Sequence, residues 1–292
     1  MKVVVFGATG TIGRAFLPAL AREHEVVAVS RQEREGGADG VTWVRADASD
    51  ATSVRAALDG ADVAYYLVHS LGTSDFEQRD REAAETVARE AAAAGLRQII
   101  YLGGLGDDSP DLSPHLRSRV ETGVALASGT VPVTTLRAAM VVGAGSAAFE
   151  TILALVDRLP AMVCPRWVST PTQPIAIDDA VAYLAAACGR EELFGESFDI
   201  GGPDVMTYRE MIERIGKLRG RRPLIVEVPV LTPRLSSYWL HLVTPVGAAV
   251  ARPLIEGLRN ATIVRDGRIR KLVPLELTPF EAAVRAALAG SR

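Results

Sequence analysis

An α/β fold built on a doubly wound parallel sheet, with a smaller and mostly helical C-terminal part, is what this sequence predicts, and three observations predict it. An apolar run at Val3–Phe6 passes into Gly7, Gly10 and Gly13, and Arg14–Arg22 then carries Phe16, Leu17 and Leu20 at helical spacing. Short apolar runs alternate with helix-length stretches as far as Gly145, the rhythm of parallel strands joined by crossover helices. The chain has 292 residues, 48% of them apolar, enough to bury the core that such a sheet needs.

The first element is strand, tight turn and helix. Gly7 lets the chain turn sharply, Gly10 lets backbone N–H groups approach a pyrophosphate, and Gly13 lets the helix pack closely on the strand while its N-terminus faces the anion. The spacing is G-x-x-G-x-x-G, which makes Gly7, Thr9, Gly10, Thr11, Ile12 and Gly13 candidate cofactor contacts in a Rossmann-type domain. Glu25–Arg31 is a second buried strand. Its end lies about 20 residues past the glycine turn, where an acid would take the ribose hydroxyls of NAD. Ser30 and Arg31 stand there instead, and a guanidinium pairs with a 2′-phosphate, so NADP(H) is the preferred cofactor and NAD(H) the alternative. A solvated charge after a strand is the other reading of Arg31.

Val41–Arg45 is the third strand, followed by Asp47, Ala48 and a helix at Ala51–Leu58. Ala61–Val68 is a fourth strand ending at His69 and Ser70. Ligands collect at the carboxyl ends of such strands, which makes Leu67, Val68, His69 and Ser70 candidates for cofactor or substrate contact. Asp75–Ala94 reads as a long helix closed by Gly95. Gln98–Leu102 is strand five and leaves Gly103 and Gly104 as flexible backbone at the same edge. A proline-broken loop feeds a helix with His115 and Arg119, and Val131–Arg137 is strand six, with Ala139 and Met140 in the loop after it. Residues 1–145 form the nucleotide-binding domain, with 167–190 returning to it, and 146–292 form a substrate or cap region.

In that region Ala147–Leu159 is helical, Pro160–Pro174 irregular, and Asp178-Asp179 caps a helix at Ala180–Ala187. Phe194–Ile200 and Leu224–Val228 are strands, and Thr207–Leu218 and Thr278–Leu288 are helices. Residues 229–258 are apolar and suit a pocket cap, a dimer face or a membrane-surface contact. Phe149, Trp167 and Trp239 suggest an apolar substrate pocket, though each also suits a core.

Charge is near balance, with 32 basic and 35 acidic side chains and no long basic run, which argues against nucleic acid as a partner. The two cysteines are too few for a metal cluster or a disulfide framework, so no metal is expected. No uninterrupted apolar run is long enough to span a bilayer, and no signal peptide precedes the first strand. A cytoplasmic monomer or homodimer acting on a small molecule is the expectation.

With these residues placed, the chain resembles the atypical short-chain dehydrogenase/reductases of the NmrA-like group, and within it bacterial YbjT-like proteins. The matching stretches are Tyr66–Ser70, His115–Arg119, Val131–Arg137, Val142–Glu150 and Pro165–Val168. The resemblance implies an NAD(P)-binding fold and a role for Asp47 as acceptor from the adenine amino group. It also exposes a departure. Active short-chain reductases use a Tyr four residues before a Lys, and a Ser at the end of strand five. Here those places hold His115, Arg119 and Gly104. His115 can donate a proton near neutral pH and Arg119 can hold ribose hydroxyls, which makes them the candidate catalytic pair; helix packing and simple cofactor contact are the alternative roles.

Three functions fit. One is an NADPH-dependent reductase of a small apolar carbonyl or enone. Another is a non-catalytic NADP redox sensor that binds a protein partner, and a third is a non-redox isomerase or cyclase that keeps the dinucleotide structurally. The fold cannot choose among them, because unrelated chemistries share it.

Overall fold

The computed structural model describes residues 1–34, 36, 40–70, 75–106, 111–228, 254 and 256–290. Trp239, and most of the apolar segment expected to cap a pocket, lie outside the described residues. The chain begins β1 (Lys2–Phe6), α1 (Thr11–Leu20), β2 (Glu25–Ser30), β3 (Val41–Arg45), α2 (Ala51–Leu58), β4 (Val63–Tyr66), α3 (Phe76–Ala93), β5 (Gln98–Gly104), α4 (Pro114–Leu126) and β6 (Val133–Ala138). It continues with β7 (Val141–Val142), α5 (Ala147–Arg158), β8 (Ala161–Pro165), β9 (Pro171–Thr172), β10 (Ile175–Ala176), α6 (Ile177–Ala187), β11 (Ser197–Ile200), β12 (Met206–Thr207), α7 (Tyr208–Leu218) and β13 (Leu224–Val228). Two further helices follow, α8 (Arg268–Leu272) and α9 (Phe280–Gly290).

Seven of the strands form one parallel sheet in the order β11-β6-β5-β4-β1-β2-β3. The order reverses between β1 and β4, so a crevice opens at their carboxyl ends, where such sheets take ligands. Both faces of the sheet are covered, which is why the strands read as continuous apolar runs. Val3, Val5 and Tyr65 pack on one face with Phe16 of α1 and Tyr183 and Leu184 of α6. Val4, Phe6 and Tyr66 pack on the other with Val54 of α2 and Ala84 and Val87 of α3. Phe16 and Tyr65 meet at 4.6 Å between ring centres, and the Tyr65 hydroxyl donates to the Leu184 carbonyl at 2.8 Å. A third core joins α5, α7 and α9 through Phe149, Met211 and Phe280.

Several expectations need correction. Gly103 and Gly104 are the last residues of β5, paired with Arg137 and Ala138 of β6, not loop. Asp178 and Asp179 do not cap α6; its N-cap is Ala176. The Asp179 carboxylate instead accepts from the backbone N–H and hydroxyl of Thr278, a long-range tie. Residues 160–174 are not irregular throughout, because β8 pairs in parallel with β13. β11 extends the main sheet beside β6, so residues past the expected return segment also belong to it. Thr207 lies outside α7 and caps it, in a reciprocal box with Glu210.

Candidate functional site at the carboxyl edge of the sheet

Three structural pieces meet around the switch between β1 and β4. The first is the glycine turn. Gly7 has φ of +82°, and a Cβ there would stand 2.6 Å from the Leu67 carbonyl carbon and oxygen. A Cβ on Gly13 would lie 2.5 Å from the Gly7 oxygen. Neither position has room for a side chain, so the turn is pressed flat against the start of α1 and the end of β4. The N-cap of α1 is Gly10, which has no side chain to occupy the first-turn N–H groups. Those groups and the helix dipole are left for an anion, which fits the pyrophosphate of a dinucleotide. The Thr11 hydroxyl donates to the Gly145 carbonyl at 2.7 Å, and Arg14 folds back to donate to the Thr9 carbonyl at 3.0 Å. Arg14 thus adds a cation beside the turn.

The second piece lies past β2 and β3. The Ser30 hydroxyl accepts from the Gln32 N–H at 3.2 Å, and Arg31 is exposed. The Asp47 carboxylate accepts from Ser49 at both its N–H and its hydroxyl. Those bonds, outweighing partial burial and aided by the charges of Arg31 and Arg79, hold it below the usual carboxylate range.

The third piece is a row of side chains that sequence reasoning only half found. Asp80 of α3, 1% exposed, accepts from His69 Nδ1 at 2.7 Å and from the Ser70 N–H at 2.9 Å. His69 Nε2 stands 3.1 Å from Nδ1 of His115, the second residue of α4. Burial raises the Asp80 carboxyl, but the bonds from His69 and Ser70 outweigh it and keep the group below its usual range. Burial depresses His69 despite Asp80, with Arg119 adding to the effect. His115 is pushed down to about 3 by burial, by His69 and by Arg119. Its place at a helix N-terminus disfavours a cation further. At neutral pH His115 is therefore an uncharged imidazole.

Arg119 is tied to the main chain at this edge. Its guanidinium donates to the main-chain carbonyls of Val68 and Leu102 and lies 5.0 Å from the Tyr101 ring centre. It ties the ends of β4 and β5 together at the sheet edge. Beyond these, Ala139 is buried and bonded through its N–H to Ile200, and Met140 is half-buried. Met140, Trp167 and Tyr208 line a small apolar cavity of about 20 Å³, bordered by Leu254 and Leu258. Phe149 has no exposed surface and is core, not a substrate contact.

Residues 7–127 match the family of NAD(P)H-binding domains. The chain carries an NAD(P)H-binding domain. Among curated relatives, the mitochondrial NADH dehydrogenase (ubiquinone) 1 alpha subcomplex subunit 9 of Arabidopsis thaliana is 25% identical over 95% of this chain and 74% of its own length. The (4-alkanoyl-5-oxo-2,5-dihydrofuran-3-yl)methyl phosphate reductase of Streptomyces griseus is 28% identical over 93% of this chain and 90% of its own. An uncharacterised protein of Mycobacterium tuberculosis is 27% identical over 82% of this chain, which spans only 25% of that protein's length.

Solved structures share the fold of the NAD(P)H-binding domain and of the part that follows it. A nucleoside-diphosphate-sugar epimerase from Staphylococcus aureus superposes with a TM-score of 0.79 at 16% identity, over 98% of this chain and all of the other. The Citrobacter sp. triphenylmethane reductase, solved with NADP(H), gives 0.74 at 18% identity, over 98% of this chain and all of the other. The atypical short-chain group expected from the sequence accords with both. Among the described residues, no helix of this NAD(P)H-binding protein is long and apolar enough to cross a membrane.

Asp80 is the member of this row that the sequence reading missed. It falls on the same helical stripe as Ala83, Ala84, Val87 and Ala91, all buried. A carboxylate on an apolar stripe was the available signal, since a buried charge requires partners.

Proposed function

We propose that this protein is an NADP(H)-dependent oxidoreductase of the NmrA-like group that interconverts a small apolar carbonyl compound or enone with its reduced form, without the usual Ser-Tyr-Lys set. The observation that carries the reading is the placement of the polar row Asp80, His69 and His115 at the same carboxyl edge as the glycine cradle. Cofactor cradle and proton-handling groups on one sheet edge are what hydride transfer with a coupled proton step needs. The reductase relatives support the same class. Arg31, with Arg79 also acting on the Asp47 carboxylate, supports recognition of a 2′-phosphate and hence NADP(H). When bound, the dinucleotide supplies hydride chemistry. The chain's own residues hold its pyrophosphate at Gly7–Gly13 and fix the sheet edge through Arg119.

Titration of the protein with NADPH, NADP⁺ and NADH, read by nicotinamide fluorescence and thermal shift, tests the cofactor. A preference for NADPH over NADH of about tenfold or more is expected. A screen of apolar carbonyl compounds and enones with NADPH then tests turnover. Lack of binding by any of the three dinucleotides overturns the proposal.

A second reading, a non-catalytic sensor of NADP redox state, is favoured by Gly104 and His115 standing where Ser and Tyr act in active reductases. It expects no consumption of bound NADPH and a change of partner affinity between NADPH and NADP⁺.

A further inference from the structure

Hydrogen-bond logic fixes where the protons sit in the row at the sheet edge. Asp80 is ionised and can only accept, so His69 presents Nδ1–H to it. A neutral His69 then has a bare Nε2, and the short approach to His115 at 3.1 Å requires His115 to present Nδ1–H. A neutral His115 is left with a bare Nε2, which has no hydrogen-bond partner among the described residues. The rings are set for this, with centres 5.0 Å apart and tilted by 39°. Among the described residues, the charged and titratable groups around the row are Arg119 from α4, Tyr66 from β4 and Tyr101 from β5. On the outer side, Gly257 passes near the His115 ring, in a segment that also carries Glu256 and Arg259.

We propose that Asp80, His69 and His115 form a proton relay whose outer end, Nε2 of His115, takes the hydroxyl proton of a bound alcohol, which makes the substrate class a hydroxyl/carbonyl pair. The proposal rests on the oxidoreductase reading above. In the oxidative direction the substrate O–H bond breaks and an N–H bond forms at His115 Nε2. The His115 Nδ1–H proton passes to His69 Nε2, so the positive charge comes to rest on the imidazolium that faces the Asp80 carboxylate. The hydrogen on the carbinol carbon leaves with its electron pair to an oxidised nicotinamide dinucleotide, and a carbonyl remains. Reduction is the reverse and begins with the relay loaded by one proton. His69 and Asp80 are positioning residues in this scheme, and His115 is the residue that meets the substrate.

The substitution Asp80→Asn distinguishes a relay from mere packing. The Ser70 N–H can only donate, so the carboxamide of this variant keeps its oxygen on Ser70 and turns its NH₂ group toward His69 Nδ1. That forces His69 into the other tautomer, and His115 after it, so Nε2 of His115 becomes N–H. Ring ¹⁵N NMR of the full chain without cofactor reads this directly, with the H115Q variant giving the assignment. In the unsubstituted protein at about pH 7 the expected pattern is a protonated Nδ1 and bare Nε2 on both residues. In D80N both are expected to invert, with oxidative turnover of a secondary alcohol reduced about 100-fold or more and KM little changed. A protonated Nε2 on His115 in the unsubstituted protein overturns the relay, whether or not D80N folds, and so does a folded D80N with unchanged tautomers. Expected tautomers in a protein that binds no nicotinamide dinucleotide would overturn the redox reading and leave the relay standing. Dinucleotide binding with the opposite tautomers would do the reverse.

Discussion

Arg119 borders the space into which a side chain at Gly104 would project. A Cβ on Gly104 would stand 3.4 Å from Arg119 Cγ, 3.5 Å from its Cβ and 3.2 Å from Leu116 Cδ2. A side chain there would press on Leu116 by a few tenths of an ångström and meet Arg119 at ordinary contact distance. The position of the missing serine and the arginine that stands where the usual lysine does are thus packing neighbours. Gly104→Ser is accordingly expected to displace the Leu116 side chain and crowd the Arg119 stem. The cost of inserting atoms into such a contact is about 1–3 kcal/mol, read as a lower urea midpoint with unchanged slope. Unchanged stability would mean that the Leu116 side chain gives way freely.

The guanidinium of Arg119 matters through its shape. It reaches the carbonyls of Val68 and Leu102 from one planar group, while the Tyr101 hydroxyl donates to the Arg119 carbonyl at 2.8 Å. Lysine keeps the charge but has no planar fork to span two carbonyls. Arg119→Lys should therefore lose about one net hydrogen bond, roughly 0.5–1.5 kcal/mol, and Arg119→Met more. If Arg119 served only the cofactor, R119K would leave denaturation unchanged and alter dinucleotide affinity alone.

These two residues also show what a sequence does and does not disclose. The glycine turn and the strand–helix alternation were legible because they are local: steric demand and period are written in consecutive residues. His69, His115 and Arg119 were legible as candidates because they follow strand ends or replace residues of known type. Their bonding was not, since it depends on α3 and α4 meeting over the ends of β4 and β5. Asp80 lies in what reads as an alanine-rich helix. Ser197–Ile200 looks like any short strand, and its place beside β6 comes from long-range pairing. Asp178 and Asp179 have the composition of a cap, but Asp179 is drawn to Thr278, about a hundred residues away in sequence.

Holding His115 uncharged has a consequence for stability against pH. The ordinary imidazole value is 6.5, and in the folded protein His115 is pushed down to about 3. Between these limits the unfolded chain takes up a proton that the folded protein refuses, so the unfolded state gains as pH falls. His69 is shifted in the same direction. The His115 contribution is complete above about pH 6.5 and is lost on acidification toward 3, and that of His69 is lost in the same direction. Asp80 acts lower, its contribution vanishing only as pH drops below the ordinary carboxylate value. Melting curves should show H115Q gaining on the unsubstituted protein at pH 5 relative to pH 8. Parallel melting profiles across that interval would show that the folded protein protonates His115 as readily as the unfolded chain does.

The proposed preference for NADP(H) turns on Arg31. The strand β2 ends at Ser30, so no carboxylate at the strand end itself accepts from the ribose hydroxyls of NAD or repels a phosphate placed on them. An exposed guanidinium there gains from a 2′-phosphate by charge-assisted hydrogen bonding, which is worth more than a neutral contact. Arg31→Ala should weaken NADPH binding by about tenfold or more, the loss of roughly 1.4 kcal/mol, and leave NADH binding nearly unchanged. The same substitution relieves Asp47 of one neighbouring cation, so its carboxyl should titrate somewhat higher. Salt separates this electrostatic origin from loss of packing, because attraction at an exposed site is screened. The NADPH preference of the unsubstituted protein should shrink as ionic strength rises, and that of R31A should not. An R31A protein that still prefers NADPH as strongly would shift the selecting role to Arg79.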